Sequence, residues 1–122
     1  MFGEVILGLG RAKQFLEMPE YKKQFLDKLN FGPFPGTLNL KVDEKELNEF
    51  LLEKEKRIIE DFEKNGKKFG SVVCYKIKIG NIPAAIIFPK KSKHAKNVIE
   101  IISYVNITKL LKLKIGDKVR LL

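Results

Sequence analysis

Two short segments carry residues that no generic fold requires: Gly8-Leu9-Gly10-Arg11-Ala12-Lys13 and Pro35-Gly36-Thr37-Leu38-Asn39-Leu40-Lys41-Val42. In the first, the glycines let backbone N–H groups come close to an anion, and Lys13 adds positive charge, so the segment suits phosphate. It equally fits a turn that ends a strand. A P-loop, G-x-x-x-x-G-K-[ST], occurs nowhere in the chain. The dinucleotide fingerprint fails too, because its third glycine is absent and no strand–helix–strand unit follows. In the second segment Thr37 and Asn39 are two apart on a strand, so their side chains point the same way, roughly 6.5–7 Å apart. A hydroxyl and an amide oxygen so placed can reach one hard cation. Magnesium takes few protein ligands and completes its shell with water and substrate phosphates. The alternative is an ordinary polar strand face. Taken together, the two segments fit phosphoryl transfer from a nucleotide held without a P-loop.

Glu100 lies in Val98-Ile99-Glu100-Ile101-Ile102. A carboxylate in such a run must be paired, at an edge, or lining a pocket. It therefore reads either as a ligand for a polar substrate or as half of an ion pair with a lysine. His94, the only histidine, sits among Lys90, Lys91, Ser92, Lys93 and Lys96, where the lysines steer phosphates or simply keep the loop soluble. That placement suggests no Ser-His-Asp set. Cys74 alternates with Val72 and Lys76 on a strand and reads as structural. One cysteine builds neither a disulfide framework nor a zinc site, which points to a reducing, cytoplasmic setting.

These residues must be held by elements that the pattern outlines. Residues 4–7 read as a short strand ending at Gly8. Pro19 suits the first position of a helix that carries Tyr21, Phe25, Leu26 and Leu29 and closes at Asn30 and Gly32. The stretch Gly32-Pro33-Phe34-Pro35-Gly36 is a rigid turn. Residues 37–42 alternate as a strand, with Leu38, Leu40 and Val42 on the face opposite Thr37, Asn39 and Lys41. Asp43 and Glu46 resemble a capping box ahead of Leu47, Phe50 and Leu51. Strands over 57–63 and 68–79 flank Asn65-Gly66, a hairpin signal. Gly80-Asn81 leads into a strand over 82–88 that Pro89 ends. After the basic loop 90–96 come a strand over 97–103, one or two helical turns over 106–113 capped by Asn106, a turn at Gly116-Asp117 and a last strand over 118–122. Six or seven strands with two or three short helices make a mostly-β chain, and a small closed barrel removes its edges.

The bulk numbers bound the rest. A chain of 122 residues is one domain on its length, 1–122, and burying roughly two-thirds of its unfolded surface gives it a real core. The formal net charge of +9 suits phosphorylated substrates, a nucleic-acid or acidic partner, or a Lys/Glu-rich surface of the thermophile kind, since 15 acids are interspersed with the lysines. The start Met1-Phe2-Gly3-Glu4 is not that of a signal peptide, and the apolar runs are far short of a membrane span.

The ordered set of these segments resembles the archaeal CTP-dependent riboflavin kinases nearly end to end. The resemblance is carried by Gly3-Glu4-Val5 leading to Gly8-Leu9-Gly10, then Phe15-Leu16, Pro19 and Tyr21, then Gly36-Thr37-Leu38-Asn39-Leu40. Pro89-Lys90-Lys91, Ile99-Glu100-Ile101-Ile102 and Gly116-Asp117 complete it. It implies a compact six-stranded cradle-loop β-barrel and transfer of the γ-phosphate of CTP to the 5′-hydroxyl of riboflavin, giving FMN and CDP. It implies that Gly8, Leu9, Gly10, Arg11, Ala12 and Lys13 hold the nucleotide, as do Val105, Asn106, Ile107 and Thr108. By the same resemblance Thr37 and Asn39 ligate Mg2+, Ser92 and Glu100 contact the flavin, and Glu100 is the candidate catalytic group. A cytoplasmic monomer with no nucleic-acid or membrane partner follows from this reading.

The sequence departs from the family pattern in three places. A further glycine near Ala12 and an aromatic near Gln14 are absent, and the flavin-contacting threonine is Ser92. The stretch Tyr104-Val105-Asn106-Ile107-Thr108 lacks the usual proline and Leu-Arg pair. Two other readings stand beside this one: a basic β-barrel nucleic-acid-binding module, and a flavin-binding protein without kinase activity.

Overall fold

The computed structural model describes residues 1–8, 10–91 and 95–122. Its framework is a seven-stranded antiparallel sheet in the order β3-β6-β7-β8-β2-β1-β9. The strands are β1 (Phe2–Val5), β2 (Leu38–Lys41), β3 (Lys56–Ile59), β6 (Val72–Ile79), β7 (Ile82–Pro89), β8 (Val98–Ser103) and β9 (Lys118–Arg120). A separate hairpin pairs β4 (Phe62–Lys64) with β5 (Lys67–Phe69). The helices are α1 (Ala12–Leu16), α2 (Pro19–Leu29), α3 (Glu44–Leu51) and α4 (Ile107–Leu110).

The sheet is barrel-like. Its six strands from β6 round to β9 curl until Leu122, just past β9, exchanges two backbone bonds of 2.9 and 3.0 Å with Lys78 of β6. The regular ladder does not extend across that seam. The first half of β6 is instead taken by β3, paired from Ile59↔Val72 to Lys56↔Tyr75.

Alternation along the strands sorts side chains into two cores. Leu38 and Leu40 of β2, Ile99 and Ile101 of β8, and Ala84 and Ile86 of β7 face the inner core. Ala85, Ile87, Ile102, Val72 and Cys74 face outward under Ala12 and Leu16 of α1 and Tyr21, Phe25 and Leu29 of α2. Residues 84–87 of β7 are therefore buried on both faces, which is why that strand reads as an unbroken apolar run.

Local signals account for most boundaries. Pro19 opens α2, and Asn30 ends it in the left-handed conformation at φ 62°. Tyr21, Phe25 and Leu29 form its buried stripe. Asp43 caps α3 by accepting from the N–H of Glu46 at 3.0 Å. Asn106 caps α4 by accepting from the N–H of Lys109 at 3.1 Å. Asn65 and Gly66, at φ 52° and 77°, make the β4–β5 turn.

Some expected boundaries are corrected. The first strand covers 2–5 rather than 4–7. It lies against β2 with Gly3 beside Leu40, where a Cβ would come within 2.8 Å of the leucine side chain. The expected strands over 57–63 and 68–79 are each broken in two, at Glu60-Asp61 and Gly70-Ser71, which frees the β4–β5 hairpin from the main sheet. Phe62 and Phe69 of that hairpin stack at 5.2 Å and lie against the edge of Tyr21, whose hydroxyl donates to the Gly70 carbonyl. Helix α1 is an addition to the expected elements, making four helices among the described residues. The helix expected over 106–113 stops at Leu110, and Lys112 follows at φ 52°. Among the described residues no helix is long and apolar enough to cross a membrane.

Candidate nucleotide and cation site

β1 ends at Val5, but the chain stays close to β2 for one more bond, from the Ile6 N–H to the Asn39 carbonyl at 3.0 Å. It then crosses over Asn39, turns at Gly10 with φ 68°, and enters α1 through Arg11. From the other side the Pro35-Gly36 turn delivers Thr37 to the start of β2. A cavity of ≈ 340 Å³ lies between them, lined by Gly8, Gly10, Ala12, Lys13, Thr37 and Asn39 together with Pro35 and Gly36. The two segments singled out in the sequence thus meet in one cleft. Arg11 is exposed at the start of α1 and does not line it. Leu9 lies outside the described residues.

Thr37 and Asn39 are joined directly. The Asn39 Nδ2 donates to Thr37 Oγ1 at 3.1 Å and to the Thr37 carbonyl at 3.3 Å. Asn39 is only 7% exposed, so its amide is held rather than free in solvent. The 3.1 Å separation matches the edge of an octahedron with ~2.1 Å bonds, which is ~3.0 Å. Turning the Asn39 amide over exchanges its nitrogen and oxygen, which puts two oxygens on that edge. With the amide so turned, the pair would offer two neutral oxygens to one hard divalent cation. Among the described residues no group of three His, Cys, Asp or Glu side chains offers a rival metal site.

A second cavity of ≈ 240 Å³ lies beside the first and shares Gly36 and Thr37 with it. Val105, Asn106, Ile107 and Thr108 line it, facing Phe34. The Asn106 side-chain oxygen is engaged as the cap of α4, and Ser103 donates its hydroxyl to the Pro83 carbonyl at 2.7 Å. Phe34 and Gly36 were not picked out as site residues. Their signal was the Gly32–Gly36 turn, which reads as a connection until its neighbours are known.

Glu100 sits on β8 directly opposite Asn39 of β2 and Ile87 of β7. Residues directly opposite share a face, so Glu100 and Asn39 lie on the outer face of the sheet, the one that α1 and α2 cover further along. Glu100 is 9% exposed and lines neither cavity. Cys74 continues the same row through Ile87. Burial pushes its thiol up to about 12, with the Lys28 ammonium offsetting a little of this, so at neutral pH it is an inert thiol. Ser92 and His94 lie outside the described residues.

The family model for the CTP-dependent riboflavin kinase domain, described as domain of unknown function DUF120, matches residues 5–122. The chain belongs to the CTP-dependent riboflavin kinase family. It is 38% identical over 122 residues to a riboflavin kinase of Ignicoccus hospitalis, covering 98% of this chain and 68% of that protein. It is 40% identical over 119 residues to a riboflavin kinase of Methanosarcina barkeri, and 38% identical over 122 residues to one of Pyrococcus furiosus. There it covers 96% and 99% of this chain but only 53% and 57% of those proteins. The chain therefore spans a little over half the length of these two relatives.

Proposed function

We propose that this chain transfers the γ-phosphate of CTP to the ribityl 5′-hydroxyl of riboflavin, giving FMN and CDP. The observation that carries the reading is the shared wall at Gly36 and Thr37. A nucleotide laid across it has its base against Val105–Thr108 and Phe34, and its phosphates between Thr37 and the Gly8–Lys13 segment. Thr37 and Asn39 would hold Mg2+, which when bound draws charge from the phosphate oxygens. The Lys13 ammonium adds to that neutralisation. Phosphoryl transfer asks mainly for such positioning and charge, so a site without a P-loop suffices.

The acceptor is assigned to the side of Asn39 on which Glu100 lies. Ser92 and Glu100 contact the flavin in this reading, and the Glu100 carboxylate accepts a hydrogen bond from the ribityl chain beside the cation pair. As the 5′-oxygen bonds to the γ-phosphorus, the bond from that phosphorus to the bridging oxygen breaks. CDP leaves with the electron pair, and the hydroxyl proton passes to Glu100.

The deciding experiment is FMN formation from riboflavin and Mg2+ with CTP, UTP, GTP and ATP in turn. FMN made chiefly with CTP is expected, and would mean that residues 105–108 select cytosine without an arginine. FMN made with several donors would leave the kinase and remove the selectivity. A folded sample that makes no FMN with any donor would overturn the reading.

A further inference from the structure

Gly8 is a glycine for a reason unrelated to its own backbone conformation. The positive-φ glycines are Gly10, Gly66, Gly80 and Gly116, and Gly8 is not among them. What singles it out is proximity. A Cβ on Gly8 would stand 2.2 Å from Asn39 Nδ2 and 2.9 Å from Asn39 Cγ, far inside contact distance. The three nearest atoms to that position all belong to the Asn39 side chain. The loop is also tied to the same residue from below, since the Ile6 N–H donates to the Asn39 carbonyl at 3.0 Å. The Asn39 carbonyl thus accepts from Ile6, its amide lies on Thr37, and the space over that amide is left open by the missing Cβ of Gly8, whichever way the amide is turned.

We infer that Gly8 is a positioning residue that clamps the Asn39 amide against Thr37 and so sets the geometry of the cation pair. The inference rests on the assignment of Thr37 and Asn39 as that pair. Its physical basis is which atom would yield. Two residues before Gly8 the chain is tied to β2 by the bond from the Ile6 N–H to the Asn39 carbonyl, and Asn39 Nδ2 is the end of a short side chain. An added methyl therefore displaces the amide rather than the loop. The fold survives and the cation pair is pulled apart. Because the same loop lines the phosphate cavity, a bound phosphate that steadies it also steadies Asn39, so nucleotide and cation bind cooperatively.

A double-variant cycle tests this, with Gly8→Ala, Asn39→Ser and the two combined in the full chain. Serine keeps an oxygen but vacates the space that the new methyl needs. Two quantities are read: Mn2+ affinity in the presence of CDP, from the electron paramagnetic resonance of free Mn2+, and the melting temperature. Gly8→Ala is expected to weaken Mn2+ about tenfold, the scale of lost support behind a metal ligand. In the Asn39→Ser background the same change should cost nothing further. An equal penalty in both backgrounds would show that Gly8 acts through its own backbone and would overturn the inference. If Gly8→Ala alone fails to fold, a combined variant that melts close to Asn39→Ser supports the clamp, and one that also fails overturns it. Wild-type chain that binds Mn2+ with CDP and shows the cycle, yet makes no FMN, would sink the kinase reading and leave the clamp standing. Wild-type chain that binds no Mn2+ with CDP would remove the clamp's role.

Discussion

Asn39 on β2 and Glu100 on β8 stand directly opposite each other, and their side chains share one face of the sheet. Paired positions of this kind place Cβ atoms about 4.5–5.5 Å apart. An amide that can take a cation and a carboxylate that can take a hydroxyl are thereby held as neighbours by backbone pairing alone. The donor side of the proposed reaction reaches Asn39 through Thr37 and the Gly8 loop. The acceptor side begins at Glu100.

Replacing Asn39 by alanine should separate metal use from folding. The variant loses both side-chain bonds to Thr37, together worth about 1–2 kcal/mol, and should melt roughly 4–8 °C lower. Its Mg2+-dependent turnover should fall at least about a hundredfold. Near-normal FMN formation would take Asn39 out of the cation site.

Glu100→Gln keeps the shape of the side chain and removes its charge. Loss of a proton acceptor at the reacting hydroxyl predicts a fall in kcat of about a hundredfold. The KM for the nucleotide should hardly move, because Glu100 lines neither cavity. A variant with normal kcat but a raised riboflavin KM would make Glu100 a binding group only.

Cys74 supplies a pH prediction whose sign follows from its burial. Its thiol is raised from 9.0 to about 12 in the folded chain. The stability it contributes is complete below the unfolded value and is lost as pH climbs through the folded one. At ~1.4 kcal/mol per pH unit, raising the pH from 8 to 10 should remove about 1.4 kcal/mol. Urea unfolding at both pH values, compared with Cys74→Ala, isolates the term, since the variant lacks it and the other groups titrate equally. A wild-type-to-variant difference that does not change with pH would contradict the burial. In the folded chain a thiol reagent should label Cys74 only as fast as the protein unfolds.

Gly3→Ala tests the sheet away from the site. The new methyl would meet Leu40 Cδ1 at 2.8 Å and Leu40 Cβ at 2.9 Å in the packed inner core. Overpacking of this kind costs about 1–3 kcal/mol. The urea midpoint should fall while kcat of the folded enzyme holds. An unchanged midpoint would mean that β1 can shift along β2 freely.

Particular residues show what the sequence alone determined. Pro19 and Asn30 bracket α2, Asp43 and Asn106 cap α3 and α4, and Asn65-Gly66 makes a hairpin turn. Each of these follows from φ preference or a bond spanning three or four residues, so it is written within a few positions of chain. Alternation likewise determined that Thr37 and Asn39 face away from Leu38 and Leu40, because the strand period is local. The ordered set of Gly8-Leu9-Gly10, Gly36–Leu40 and Ile99–Ile102 as segments of family resemblance was also visible there.

Tertiary structure decided the rest. Short strands interrupted at Glu60-Asp61 and Gly70-Ser71 were indistinguishable from continuous ones until β4 and β5 had an aromatic partner in Tyr21. Helix α1 has five residues and no side-chain cap, too little local signal to stand without the outer core that buries Ala12 and Leu16. That Glu100 faces Asn39, and that Gly8 leaves no room for a Cβ beside its amide, depends on which strands pair and in what register. Strand pairing joins residues far apart in the chain through backbone groups that every residue carries alike, so no local pattern specifies it. Only the packing of the whole sheet does.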